Sequence, residues 1–233
     1  MGRSLVEVKG FLSQSTKFSI EKARRIQENL SRRVIVKDCF YKPVELIAGV
    51  DVAYAHGHSF GAVVVLEYGS MKPVESSIAR VETRFPYIPT LLSFREIPPA
   101  VSAIRKLKVK PDVFLIDGQG IAHPYRLGFA SHLGVTLDIV TVGVAKSLLC
   151  GDVGEGGCEL WKPIIFNGEV VGGAVFTKLG AKPIYVSVGH KISLETAIKI
   201  VLDCSRGHRI PEPLRVAHIL AEKTKRGMVS EIR

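Results

Sequence analysis

The chain has 233 residues, 46% of them hydrophobic, and carries a formal net charge of +10. That composition excludes disorder throughout, and no apolar run nears the ~20 residues that a membrane-spanning helix needs. The excess of 32 Lys and Arg over 22 Asp and Glu fits either a polyanionic partner, whose counterions binding would release, or a solubilising basic surface.

The opening 14 residues, MGRSLVEVKGFLSQ, show no apolar core or small-residue cleavage site, so the expected compartment is the cytoplasm. From Ser19, an N-cap, Ile20, Ala23, Ile26 and Leu30 recur at helical spacing. Three strand-like runs follow at 46–55, 61–69 and 75–85, joined by HGHSF and SMKPV, short enough for an antiparallel meander. Pro98-Pro99 reads as the start of a helix with Val101, Ile104 and Leu107 on its apolar face.

DVFLIDG (112–118) has the unbroken apolar centre of a strand buried on both faces. A helix over 126–135 and a second buried strand over 139–147 come next. In 161–176, Asn167-Gly168 supplies the two positive-φ positions of a type I′ hairpin turn. A strand at 183–189 and helices at 193–204 and 213–225 complete the chain. The pattern predicts one α/β domain: three antiparallel strands, a parallel βαβ unit in the same mixed sheet, and flanking helices.

Several short motifs lead nowhere. DGQGIAH starts like a dinucleotide fingerprint, but His123 occupies the third glycine position, where helix and strand must pack closely. GDVGEGG (151–157) lacks the lysine of a phosphate-binding loop and reads as a flexible loop. Cys39, Cys150, Cys158 and Cys204 form no CxxC pair, which predicts buried free thiols rather than a zinc or redox site.

The carboxylates carry more. Asp51 sits between Val50 and Val52 inside an apolar strand, where a charge is costly unless paired or metal-bound. Asp117 ends the buried strand DVFLID just before Gly118. If the two strands are neighbours, these carboxylates meet about one strand spacing, ~5 Å, apart and call for a cation between them. The competing readings are a salt bridge for Asp51 and an Asx turn for Asp117. Glu96, just before Pro98-Pro99, adds weight to the metal.

Five ordered segments resemble the endonuclease V family: GVDVAY (49–54), FPYIPTLLSFRE (85–96), PDVFLIDGQGIAHPYRLGFASHLGV (111–135), TVGVAKS (141–147) and VSVGHKIS (186–193). The resemblance implies a ribonuclease H-like fold with the first and fourth strands adjacent. It implies that Asp51, Glu96 and Asp117, completed by His218, bind magnesium, with manganese as the alternative. By residue type alone His218 reads as a helix residue aligned with Leu214 and Ala221. Lys146 would neutralise the scissile phosphate or leaving oxygen.

Pro86, Tyr87, Ile88 and Pro89 resemble the family's wedge, whose stiff frame fills the gap left by a flipped base. Gly118, Gln119, Gly120, Ile121 and His123 would line the hypoxanthine pocket, with free backbone N–H groups reaching the base. Asp112 matches a further motif position, or simply caps its strand. Three positions depart from the family's usual residues: Thr90 in place of Gly, Gln119 in place of Asn or His, and Leu214 in place of Thr. Gln119 bears on base selectivity.

The activity implied is hydrolysis of DNA at the second phosphodiester 3′ to a deaminated purine, deoxyinosine, leaving 3′-hydroxyl and 5′-phosphate ends, by a monomer without membrane attachment. Two alternatives stand beside it: a ribonuclease for inosine-containing RNA, and a lesion-binding protein that does not cut.

Overall fold

A strand that is apolar on both faces needs cover on both sides, and this requirement organises the molecule. The structure is a computed structural model that describes residues 19–40 and 43–230, so the opening stretch read for an export signal lies outside the described residues. In chain order the elements begin with α1 (Ile20–Ser31), β1 (Leu46–Ala55), β2 (His58–Glu67), β3 (Pro73–Glu82) and α2 (Ser93–Ile104). They continue with β4 (Val113–Asp117), α3 (Phe129–Leu137), β5 (Thr141–Ala145) and β6 (Asp152–Val153). The remainder is β7 (Trp161–Phe166), β8 (Glu169–Val175), β9 (Ile184–His190), α4 (Leu194–Asp203) and α5 (Glu212–Ser230).

All nine strands form one sheet in the order β3-β2-β1-β4-β5-β9-β8-β7-β6. β1, β2 and β3 make the expected antiparallel meander, and β1, β4 and β5 run parallel. The fold is thus the α/β, ribonuclease H-like mixed sheet with the first and fourth strands side by side. Neighbours along β1 serve opposite layers, as the two-residue period of a strand requires. Ile47 joins Leu115, Val142 and Leu214 on the face that α4 and α5 cover. Ala48 joins Phe114, Ala100 and Leu133 on the face that α2 and α3 cover.

Helices reach this sheet through two glycines. A Cβ on Gly49 of β1 would collide with the Pro213 carbonyl of α5, and one on Gly61 of β2 with the Pro99 carbonyl of α2. The β1–β2 and β7–β8 turns use left-handed pairs, His56 (φ 45°) with Gly57 and Asn167 (φ 54°) with Gly168. The second was legible from Asn-Gly. At the first, His58, Ser59 and Phe60 belong to β2 rather than to the loop, so the turn shortens to two residues.

Three further expectations need correction. α2 does not begin at Pro98-Pro99: it starts five residues earlier at Ser93, tightened by i→i−3 bonds from Phe94 N to Leu91 O and Arg95 N to Leu92 O. Both prolines sit inside it, and Glu96 lies in its first turn. α1 buries Ala23 and Gln27 and leaves Ile20 and Ile26 exposed, because its inward face is held by hydrogen bonds rather than by an apolar stripe. Of the cysteines only Cys204 is buried, while Cys39 and Cys158 are exposed on loops and Cys150 is intermediate; all four are free thiols. The glycine-rich loop at 151–157 holds the short strand β6, paired with β7.

The two edges of the sheet differ. β3 is ten residues long but starts at Pro73, and the Lys106 ammonium donates to the Ile78 carbonyl at 2.6 Å. β6, at the other edge, has only two residues. Among the described residues no helix is long and apolar enough to cross a membrane.

The Gly49 contact yields a prediction. Gly49→Ala forces α5 off the sheet and should destabilise the fold by about 1–3 kcal/mol, an overpacking cost. A thermal melt checks this; an unchanged midpoint would show that α5 yields freely.

Candidate active site

Register places the charges. Parallel pairing of β1 with β4 runs from Ile47↔Val113 to Val50↔Ile116, so the next step along both strands sets Asp51 beside Asp117. Asp51 is 8% exposed; its Oδ1 accepts from the Val52 amide at 2.8 Å, and its Oδ2 lies 2.7 Å from His218 Nδ1. His218 reaches over from α5 because the Gly49 contact holds that helix against β1. Lys146 follows β5, and its Nζ donates to Asp117 Oδ2 at 2.5 Å.

Ligand atoms of Asp51, Asp117 and His218 all lie within 4.8 Å of one another. Two carboxylates and one imidazole suit a hard divalent cation. Glu96 stands outside this tight group, on the wall of the adjoining cavity. It still feels the group: burial first, then the charges of Asp117 and Asp51, push its carboxyl up to about 8 against the pull of Arg95. Asp117 is raised by burial and by Asp51, with Lys146 opposing. Both shifts reflect too much negative charge in too little water, which a bound cation relieves.

A cavity of about 390 Å³ is lined by Glu96, Asp117 and Lys146 together with Tyr87, Gln119 and His123. Its size lies within the range of small-molecule sites. Tyr87 is 69% exposed on the loop between β3 and α2, with Pro86, Ile88 and Pro89 around it. The Arg95 guanidinium lies 4.7 Å from the Tyr54 ring centre and 6.0 Å from that of Tyr87. Thr90, at the loop's end, adopts φ 65°. A β-branched residue there is strained by about 1–3 kcal/mol.

The pocket loop departs from expectation in one respect. The amides of Gly118, Gly120 and Ile121 are not free: they donate to Val144 O at 3.1 Å, Ser187 Oγ at 2.9 Å and Val188 O at 2.8 Å. Gly120 is small because its α-carbon backs onto β9, where a Cβ would strike the Val188 carbonyl. Gln119 Nε2 donates to Ser147 O at 2.9 Å, while its Oε1 is buried without a hydrogen-bond partner. His123 Nδ1 accepts from the Tyr125 amide at 3.1 Å, and burial lowers its pKa to about 4. Asp112 Oδ2 takes the Glu45 and Leu46 amides, each at 2.9 Å, and so ties down the start of β1.

Sequence reasoning missed Tyr54, Arg95, Phe129 and Leu149 around this site. Tyr54 and Arg95 fall inside the segments GVDVAY and FPYIPTLLSFRE, where only Asp51, Glu96 and the residues of the wedge were given roles. Their pairing depends on α2 starting at Ser93, which the prolines concealed.

Adjacent strand ends that gather acidic groups, beside a cavity open to a base-sized ligand, make this a hydrolase of the nuclease class on a ribonuclease H-like sheet. Comparison with known proteins narrows the class. The endonuclease V family matches residues 28–219, and the chain belongs to that family. It is an endonuclease that hydrolyses DNA. An endonuclease V from Thermofilum pendens is 50% identical over 219 residues, covering 92% of each chain. One from Trichormus variabilis is 52% identical over 207 residues, covering 87% of this chain and 94% of its own. Among solved structures, endonuclease V of Streptomyces avermitilis has a TM-score of 0.86 at 36% identity, covering 91% of this chain and 95% of its own. That of Ciona intestinalis, bound to a 24mer DNA containing an inosine followed by a ribo-adenosine, has a TM-score of 0.80 at 36% identity, covering 92% and 99%.

The raised carboxyls predict a pH signature. Glu96 binds a proton in the folded protein up to about pH 8 but only to about its ordinary 4.5 when unfolded, so without metal its contribution to stability falls across that window. In EDTA, the stability advantage of Glu96→Gln over the unmodified protein should therefore grow from pH 5 to pH 8. Added Mg²⁺ should shrink it. Thermal melts across that pH range check both; an advantage independent of pH would rule out this proton.

Proposed function

We propose that this chain is a metal-dependent repair endonuclease that recognises deoxyinosine in DNA and hydrolyses the second phosphodiester 3′ to it, leaving 3′-hydroxyl and 5′-phosphate ends. The observation that carries this reading is one cavity bordered both by the acidic groups and by Tyr87, Gln119 and His123, so that chemistry and base recognition share a space. The inosine-bearing DNA held by the Ciona intestinalis relative supports the choice of lesion. The reading takes the chain as one domain acting as a monomer in the cytoplasm.

Asp51, Asp117 and His218, with Glu96 beside them, would hold the metal, Mg²⁺ or else Mn²⁺. When bound, such a cation polarises a phosphate oxygen and lowers the pKa of an attacking water. The protein's own groups do the rest. His218 hydrogen-bonds Asp51 and fixes which carboxylate oxygen faces the site. Lys146, held by Asp117, sets a positive charge where the phosphate would lie and can steady the leaving oxygen. Glu96, with its carboxyl near 8, can hold a proton at neutral pH until a cation displaces it. Tyr87, framed by Pro86 and Pro89, loses little freedom on stacking into the gap left by the base, which offsets part of the unstacking cost. Gln119 Oε1, buried and unpaired, is an acceptor on a residue that lines the cavity. Basic side chains elsewhere would bind phosphates, so affinity should weaken steeply with salt.

A second reading, cleavage of inosine-containing RNA, is favoured by one fact: a ribose follows the inosine in the Ciona intestinalis complex. A labelled duplex with one deoxyinosine, tested in Mg²⁺ and in EDTA beside an inosine-RNA strand, separates the two. Metal-dependent cutting one nucleotide beyond the lesion is expected for DNA. Asp51→Ala should lower the rate more than about a hundredfold, as loss of a group that organises charge at the reacting phosphate does. Full activity in that variant would overturn the mechanism.

A further inference from the structure

The buried face of α1 ends in a polar knot. Gln27 is fully buried, and its Nε2 donates both to the Thr90 carbonyl at 2.9 Å and to the Leu127 carbonyl at 3.2 Å. Its Oε1 accepts from Arg24 at 2.8 Å, and the other Arg24 nitrogen reaches Thr90 Oγ1 at 2.6 Å. The same guanidinium lies 4.0 Å from the Tyr125 ring centre.

Thr90 closes the wedge loop, and Leu127 precedes Gly128 on the loop that follows the pocket. Thr90 and Gly128 both line the 390 Å³ cavity. One amide group therefore ties together two of the segments that line the cavity and holds them at a set separation. It also holds a β-branched residue at a φ of 65° that it would otherwise leave.

We propose that Gln27, aided by Arg24, is a positioning residue that holds the wedge loop at a fixed distance from the base pocket, so that Tyr87 enters the stack as the base leaves it. This rests on the deoxyinosine reading above. It assigns α1 a part in opening the duplex, a step that a single strand does not require. A buried Gln that merely filled space would matter equally for both substrates.

The test uses Gln27→Met, which keeps the length of the side chain and removes both donors, in the full chain. Cleavage of deoxyinosine is measured under single-turnover conditions in a duplex and in a single strand. Base opening is read without cleavage, from the fluorescence of a 2-aminopurine next to the lesion in EDTA. The duplex rate should fall about tenfold or more, the scale of a small misplacement of reacting groups, and the single-strand rate much less. The 2-aminopurine signal should fall too. Adding Thr90→Gly, which removes the strained side chain, should restore part of the duplex rate. Equal losses on both substrates, or none on either, overturn the proposal. If Gln27→Met does not fold, Arg24→Met, which breaks the contact with Thr90 Oγ1 from the rim, carries the same comparison. Failure of the unmodified protein to cut the duplex would instead sink the deoxyinosine reading, and this inference with it.

Discussion

Two carboxylates one strand apart are the constraint on which the rest depends. The parallel pairing of β1 with β4 leaves Asp51 and Asp117 no distance to keep. Burial first, and then this crowding of charge, raises the carboxyls of Glu96 and Asp117, and His218 and Lys146 each attach to one of the pair. In water such a cluster would disperse; here the buried strands forbid it. The fold stores an unfavourable charge arrangement that a divalent cation makes favourable, which is what pre-organisation for metal chemistry means physically.

The position of each partner follows from backbone contacts rather than from the partners' own preferences. His218 stands over Asp51 because Gly49 lets the Pro213 carbonyl of α5 approach the sheet. Glu96 stands on the cavity wall because Gly61 admits the Pro99 carbonyl of α2 in the same way. Each side of the sheet therefore delivers one acidic or imidazole group to the same end of β1, and in each case a glycine sets the depth. That symmetry between layers puts the site at the ends of the central strands β1 and β4.

Much of this was legible in the sequence. Apolar runs bounded by turn residues marked the strands, Asn167-Gly168 marked its hairpin, and a charge inside 46–55 marked Asp51. The misreadings have specific causes. Pro98-Pro99 resembled a helix start, because proline is tolerated there; the chain instead carries both prolines in the second turn and forgoes two backbone bonds. Ile20 and Ile26 suggested an apolar face, but α1 is anchored by Gln27, and a polar residue at a buried position has no periodic signature. The free amides assigned to Gly118, Gly120 and Ile121 are spent on neighbouring strands, and long-range partners of this kind cannot be read from local spacing.

The unequal edges of the sheet bear on a different property. An open sheet of nine strands is a template for adding a tenth from another molecule, and a long flat edge is the usual place for it. Here one edge ends after two residues, and along the other a lysine already occupies a carbonyl that an incoming strand would need. A basic protein that must be concentrated along a polyanion brings its copies close together. Blunted edges allow that crowding without seeding a shared sheet, so resistance to aggregation is built into the same sheet whose central strands carry the register of the site.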